Sequence, residues 1–164
     1  MKKLITSLCL IVTLAIGSFG VGWSGDFQKG LDAAQRGDYT TALKEWTSLA
    51  EQGDAKAQFN LGIMYERGQG VLQDYKTAVK WYILSAEQGY AKAQYNLGVM
   101  YALGQGVIED KVYAHMWGNI LNSNGHEDGK KIMEYLLKKG MTQSQVEKAT
   151  DLARECVRKN YKDC

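Results

Sequence analysis

A near-identical duplication is the feature that most constrains how this chain folds. Residues 55–71 read AKAQFNLGIMYERGQGV and residues 91–107 read AKAQYNLGVMYALGQGV, a shift of 36 residues. The same shift relates residues 51–53 to residues 87–89, so the duplication is longer than the quoted segment. A fixed period of about 20 to 50 residues is the signature of stacked structural repeats. The duplication therefore indicates a building block and not an active site.

Each repeat unit is predicted to contain two helices joined by a glycine-rich connector. Apolar residues recur at three- and four-residue spacing in both parts of the unit, which places them on one face of each helix. Asp54 stands where it can cap the first helix, and Gly68 can end it. The scaffold positions of the two units are Leu61, Gly62, Tyr65, Gly68, Gly70, Asp74, Ala78 and Trp81, then Leu97, Gly98, Tyr101, Gly104, Gly106, Asp110 and Trp117.

Gly62 and Gly98 lie inside predicted helices, where glycine costs about 1 kcal/mol relative to alanine. Because both occur at the same register, we expect them to allow close approach of the partner helix. In the first unit the small residue expected to face Gly62 is Ala78.

The chain is predicted to divide into an N-terminal targeting segment, a repeat region and a C-terminal cap. Residues 26–53 resemble a shorter, degenerate unit, and residues 54–89 and 90–125 are full units. Residues 127–164 are predicted to form terminal capping helices. Thr142 and Gln145 have the spacing of a capping box, and Met141 and Val146 the spacing of a hydrophobic staple.

The first 24 residues resemble a secretory signal peptide. Lys2 and Lys3 precede a mainly apolar run, and small residues follow it. An uncleaved inner-membrane anchor is the alternative, because the uncharged stretch is long enough to span a bilayer. We expect a periplasmic or secreted protein.

The charge balance excludes a general polyanion binder. Residues 25–164 carry 18 basic and 18 acidic side chains, which does not favour nucleic acid. The distribution is uneven, with 9 basic and 13 acidic residues in 25–128 but 9 basic and 5 acidic in 129–164. Two cysteines remain after residue 24, and in an exported chain Cys156 and Cys164 are expected to form a disulfide.

The pattern A-x-A-Q-x-x-L-G-x-x-Y-x-x-G-x-G-V-x-x-D, followed by A-x-x-W-Y and A-x-x-G, resembles the Sel-one-like repeat (SLR) family of tetratricopeptide-like proteins. The resemblance covers about residues 27–126 and departs from the family at Leu72 and Ile108, where proline is usual. It implies an all-α fold, a right-handed α-solenoid of antiparallel helix pairs. It also implies an adaptor whose concave face, lined by first helices, holds a protein or peptide.

The concave-face hypothesis selects first-helix positions that lie off the core stripe. Amide side chains there can pair with both the C=O and the N–H of a bound peptide. The candidate residues are Lys56, Asn60, Ile63, Arg67, Lys92, Asn96, Val99 and Leu103.

Catalytic and metal sites are not indicated. His115 and His126 have no ligand or nucleophile at the spacing that metal or acyl chemistry requires. We therefore predict a monomeric, non-enzymatic adaptor without a metal or cofactor. The rival hypothesis is a cell-wall or β-lactam-binding protein or weak hydrolase, because cysteine-rich exported relatives have been linked to penicillin binding. Those relatives carry a cysteine pair in each repeat.

Overall fold

The computed structural model describes residues 25–164, and that part of the chain contains eight α-helices. The helices are α1 (Phe27–Gln35), α2 (Tyr39–Glu51), α3 (Ala55–Arg67), α4 (Tyr75–Ala86), α5 (Ala91–Leu103), α6 (Lys111–Ser123), α7 (Asp128–Lys138) and α8 (Gln143–Arg158). The predicted signal peptide or anchor lies outside the described residues. Within residues 25–164, no helix combines the length and the apolar character needed to cross a bilayer.

Consecutive helices pack against one another along the chain. Helices α1 and α2, α3 and α4, and α5 and α6 form pairs, and α2 packs on α3 as α4 packs on α5. Short connections between packed helices make neighbours antiparallel. The result is an α-solenoid, as the sequence predicts. Helices α7 and α8 depart from this pattern, because both pack on α6.

The glycine-rich connectors fix each unit onto the preceding one. Gly68 and Gly104 adopt left-handed backbone conformations at φ 66° and 65° and end α3 and α5. Two residues further on, Gly70 lies against Tyr39 at the start of α2, and Gly106 lies against the backbone of Tyr75 at the start of α4. A side chain at either of these two positions would collide with the preceding unit.

Aspartates that recur 36 residues apart begin the second helices of the two full units. The Asp74 carboxylate accepts from the N–H groups of Lys76 and Thr77 at 2.9 and 3.2 Å. Asp110 accepts from Val112 and Tyr113 in the same way, at 2.8 and 3.1 Å. These bonds satisfy donors that a free helix N-terminus leaves without a partner.

The glycine inside the first helix accommodates an aromatic ring. A Cβ on Gly62 would meet the ring of Tyr82, and a Cβ on Gly30 would meet the indole of Trp46 at 2.5 Å. The close approach predicted for Gly62 is therefore present, but its partner is Tyr82 and not Ala78. Sequence spacing identified the glycine, whereas the ring that lies over it depends on the rotation of α4 about its own axis.

The third unit replaces this aromatic contact with a glycine–glycine crossing. Gly118 occupies the register of Tyr82, and a Cβ on it would lie 3.0 Å from the carbonyl oxygen of Gly129 in α7. The space beside Gly98 is filled by Ile132, whose Cδ1 would be 2.9 Å from an added Cβ. Helix α7 thus supplies the apolar side chain that α6 lacks.

Helix α8 and the tail close the end of the solenoid. Thr142 and Gln145 form the capping box, while Ala149, Ala153 and Cys156 are buried. A disulfide joins Cys156 to Cys164 with a Cα–Cα distance of 5.2 Å. It holds the tail against the α4–α5 turn, where the Asp163 N–H donates to Glu87 at 3.4 Å.

Candidate functional site

Helix α5 buries one face and leaves a second face open beside α7. Its apolar stripe of Ala93, Leu97 and Met100 is buried in the core. The remaining positions include Tyr95, of which 37% is exposed, and Leu103, of which 50% is exposed. Tyr95 and Leu103 lie two turns apart on the same side of α5, and they are this exposed because the facing helix does not cover them.

A cavity of about 310 Å³ lies between α5 and α7, and we call it the α5–α7 cavity. Helix α5 contributes Tyr95, Val99, Ala102 and Leu103, and α7 contributes Lys131, Ile132 and Tyr135. Its walls are mainly aliphatic and aromatic. Such a lining binds apolar groups by removing them from water, at about 25 cal/mol per Å² of buried surface.

A second cavity of about 550 Å³ adjoins the first, and we call it the α3–α5 cavity. It is more polar than the first. Its lining residues are Phe59, Tyr90, Ala91, Lys92, Tyr95, Asn96, Leu121, His126 and Asp128. Tyr95 borders both cavities, so the two form one continuous surface with the Tyr95 ring between them. We refer to the residues that line the two cavities as the Tyr95 surface.

Lysines and a few carboxylates surround the Tyr95 surface. Lys131 donates to the Asp128 carboxylate at 2.7 Å, and this hydrogen bond raises the pKa of Lys131. The Lys139 ammonium lies 5.6 Å from the centre of the Tyr135 ring. Lys111 donates to the backbone carbonyl of Lys139 at 2.9 Å, which brings these two cations to the same end of α7.

Four of the predicted binding residues are brought together on α5. Lys92 and Asn96 line the α3–α5 cavity, and Val99 and Leu103 line the α5–α7 cavity. The four counterparts on α3 are not grouped in this way. Lys56 and Arg67 are exposed, Asn60 is half-buried, and Ile63 packs against the core cluster that contains Leu97 and Tyr82.

Asn96 has an intramolecular partner as well as a place in the cavity. The Tyr82 hydroxyl donates to the Glu66 carboxylate. Burial raises the pKa of Tyr82 most, and this hydrogen bond raises it further. The Asn96 side-chain amide lies close enough to the Tyr82 hydroxyl to shift its pKa in the opposite direction. Asn96 therefore connects the Tyr95 surface to the glycine–aromatic packing of the first full unit.

Several residues of the Tyr95 surface were not predicted. Lys131, Ile132 and Tyr135 lie on α7, outside the duplicated segment, so no repeat comparison could align them with the first helices. Phe59 and Tyr95 carried a usable signal, because they are aromatic residues at equivalent positions beside the leucine stripe. His126 and Asp128 reach the surface only because the α6–α7 turn folds beside α5.

The two histidines have different environments. His126 lies at the Tyr95 surface. His115 is buried between α6 and α8, and its Nδ1 lies 3.1 Å from the amide nitrogen of Asn119, which also donates to Thr150. Burial lowers the pKa of His115 below its ordinary value of 6.5.

Stacked helix pairs with an open first-helix surface define a helical-repeat fold of the protein-interaction type. Residues 55–90 and 91–126 each match the Sel1 repeat family. The chain therefore contains two Sel1 repeats, as the sequence pattern predicts, and it has the fold of Sel1-like repeat (SLR) proteins.

Two solved structures have the same fold. One is c5321, a protective antigen present in uropathogenic Escherichia coli strains that displays an SLR fold; it is 28% identical, with a TM-score of 0.74 over 80% of this chain. The other is a Sel1 repeat protein from Oxalobacter formigenes, also 28% identical, with a TM-score of 0.65 over 79% of this chain. The matches cover 30% and 55% of those two chains, so this chain spans less than two thirds of either. No curated protein matches the sequence.

Proposed function

We propose that this protein is an exported, non-enzymatic adaptor that binds a protein or peptide segment on the Tyr95 surface. The observation that carries the proposal is the pair of adjoining cavities on α5, the first of which brings the exposed side chains of Tyr95, Leu103 and Tyr135 together around one hollow. An extended peptide places successive side chains about 3.3 Å apart along its axis. Such a peptide can cross Tyr95 and place side chains on both sides of the ring.

Recognition on this surface needs no covalent step. The α5–α7 cavity supplies apolar contact, and the α3–α5 cavity supplies the amide of Asn96 and the charged groups of Lys92 and Asp128. Together these groups can bury a side chain and bond the peptide backbone beside it.

Two features support an extracytoplasmic location, the N-terminal targeting pattern and the C-terminal disulfide. The N-terminal pattern directs the chain to export, and the Cys156–Cys164 disulfide persists in an oxidising compartment. We therefore place the adaptor in the periplasm or outside the cell. Mass spectrometry of the mature protein measures whether the N-terminal segment is removed during export, and a chain that retains Met1 would contradict cleavage.

Site-specific photo-crosslinking tests the binding surface. A benzophenone amino acid replaces Leu103 in one variant and Leu72 in a matched variant, since Leu72 is 92% exposed but lies outside the two cavities. Irradiation of cells that export the protein should join a discrete partner to position 103 and not to position 72. Tyr95→Ala in the same chain should weaken that product. Equal products from both positions, or a product only from position 72, would refute the proposed surface.

A further inference from the structure

We infer that the segment bound on the Tyr95 surface is acidic and inserts one large apolar side chain between α5 and α7. The inference rests on the proposed function and specifies the chemistry of its partner. Its two parts come from separate observations, the shape and lining of the α5–α7 cavity and the distribution of charge around it.

The apolar part follows from the side chains that form the cavity walls. Val99 and Leu103 face Ile132 and Tyr135 across a volume of about 310 Å³. Leu103 and Tyr135 remain 50% and 40% exposed there, so an inserted side chain covers surface that water now contacts. A polar side chain would lose more hydration than it regains there, because the only polar groups among those walls are the Lys131 ammonium, already bonded to Asp128, and the hydroxyls of Tyr95 and Tyr135.

The acidic part follows from the residues around the cavity. A third hollow of about 250 Å³ shares Ala102, Leu103 and Tyr135 with the α5–α7 cavity and adds Leu136 and the charged residues Glu109, Lys111 and Lys139. The linings of the three hollows therefore contain four lysines, Lys92, Lys111, Lys131 and Lys139, and two carboxylates, Glu109 and Asp128.

One of those two carboxylates is already bonded. Asp128 accepts from Lys131, so these two charges offset each other. The charges that remain in the linings are the cations Lys92, Lys111 and Lys139 and the anion Glu109, which leaves an excess of positive charge for a ligand. Like charges within about 8 Å still repel at physiological salt. A basic segment would meet this repulsion, whereas an acidic segment would be attracted.

Charge elsewhere on the chain orients the ligand. Residues 25–128 are net acidic, and residues 129–164 are net basic. An acidic segment is thus repelled by the solenoid body and drawn to its α7 end. Complementary charge of this kind raises the association rate and selects between partners more than it raises affinity.

Three short fluorescein-labelled peptides measure the preference. Each is amidated at its carboxyl end and carries a central phenylalanine, with glutamate, glutamine or lysine in the flanking positions. Fluorescence anisotropy should show the glutamate peptide binding about fivefold more tightly than the glutamine peptide, from two or three exposed ion pairs. The lysine peptide should bind least. The advantage of the glutamate peptide should decrease as salt increases.

Two sets of variants separate charge from shape. Lys92→Gln with Lys139→Gln should reduce binding of the glutamate peptide to the level of the glutamine peptide. Lys80→Gln with Lys148→Gln, two exposed lysines on α4 and α8, should not change it. Leu103→Ser should weaken binding of both peptides, and Leu72→Ser should weaken neither.

The outcomes distinguish the inference from the proposed function. If glutamate and glutamine peptides bind equally and Leu103→Ser weakens both, the acidic preference is wrong and the binding surface stands. If Leu103→Ser leaves peptide binding unchanged, both the inference and the surface are wrong. Absence of binding by all three peptides overturns the inference, and crosslinking from position 103 then decides the proposed function. Tighter binding of a labelled single-stranded oligonucleotide than of the glutamate peptide would also overturn it.

Discussion

Gly62 packs directly against the ring of Tyr82, and a Cβ on Gly62 would lie 2.5 Å from the Cδ1 atom of that ring. The Tyr82 side chain is fully buried, so the ring has little room to move. At the equivalent position of the next unit, a Cβ on Gly98 would meet the flexible end of Ile132 at 2.9 Å. The two glycines share a register but face different obstacles.

Gly62→Ala should lower the free energy of unfolding by about 1–2 kcal/mol, because overpacking outweighs the gain in helix propensity. Gly98→Ala should stay within about 0.5 kcal/mol of the parent, since the Ile132 methyl can rotate away. Urea unfolding followed by circular dichroism measures both. In a Tyr82→Leu background Gly62→Ala should lose its cost, and an unchanged cost there would show that the ring is not the cause.

Gly129→Ala should detach α7 from α6. A Cβ on Gly129 would lie 2.6 Å from the backbone nitrogen of Asn122 and would also collide with the Gly118 carbonyl. Backbone atoms cannot rotate away, so we expect a loss of about 2–3 kcal/mol and faster hydrogen exchange along α7. Lys130→Ala, on the exposed side of the same helix, is the control. Slow exchange along α7 in the Gly129 variant would contradict the crossing.

The stability of the protein should decrease as the pH falls below about 6.5 because of His115. Its pKa is lowered by burial, so the unfolded chain binds a proton at a higher pH than the folded chain. The contribution of neutral His115 to stability is therefore complete above pH 6.5, the pKa of the histidine in the unfolded chain. It is lost as the pH falls towards the lower pKa of the folded protein.

His115→Gln should flatten this pH dependence in urea unfolding experiments. His126→Gln is the matched control, because it removes the exposed histidine and keeps His115. A slope that survives His115→Gln would assign the pH dependence to another group.

Reduction of the Cys156–Cys164 disulfide should cost about 2–3 kcal/mol on the chain-entropy model, since the loop closes over a sequence separation of 8. Cys156→Ser with Cys164→Ser should unfold at the same lower urea concentration as the reduced parent. The double variant should not respond to reductant. A parent protein whose unfolding midpoint is unaffected by reductant would contradict this contribution.

Much of the scaffold could be predicted because it depends on local rules. The helix period, the aspartate caps and the Thr142–Gln145 capping box involve residues within a few positions of one another. The candidate surface was predicted only in part. Lys92, Asn96, Val99 and Leu103 lie on it, whereas Ile63 is partly buried against the core cluster that contains Leu97 and Tyr82.

The sequence by itself determined the repeat, its helix pairs and the residues that begin and end them, because periodicity and capping are short-range properties of the chain. Only the tertiary structure decided that Tyr82 lies over Gly62 and that α7 crosses α6 at Gly118 and Gly129. It also decided that Tyr135 faces Leu103 across an open cavity. These relationships depend on how far each helix is rotated and displaced against its neighbour. That geometry is set by the fit of many side chains at once and not by any one segment.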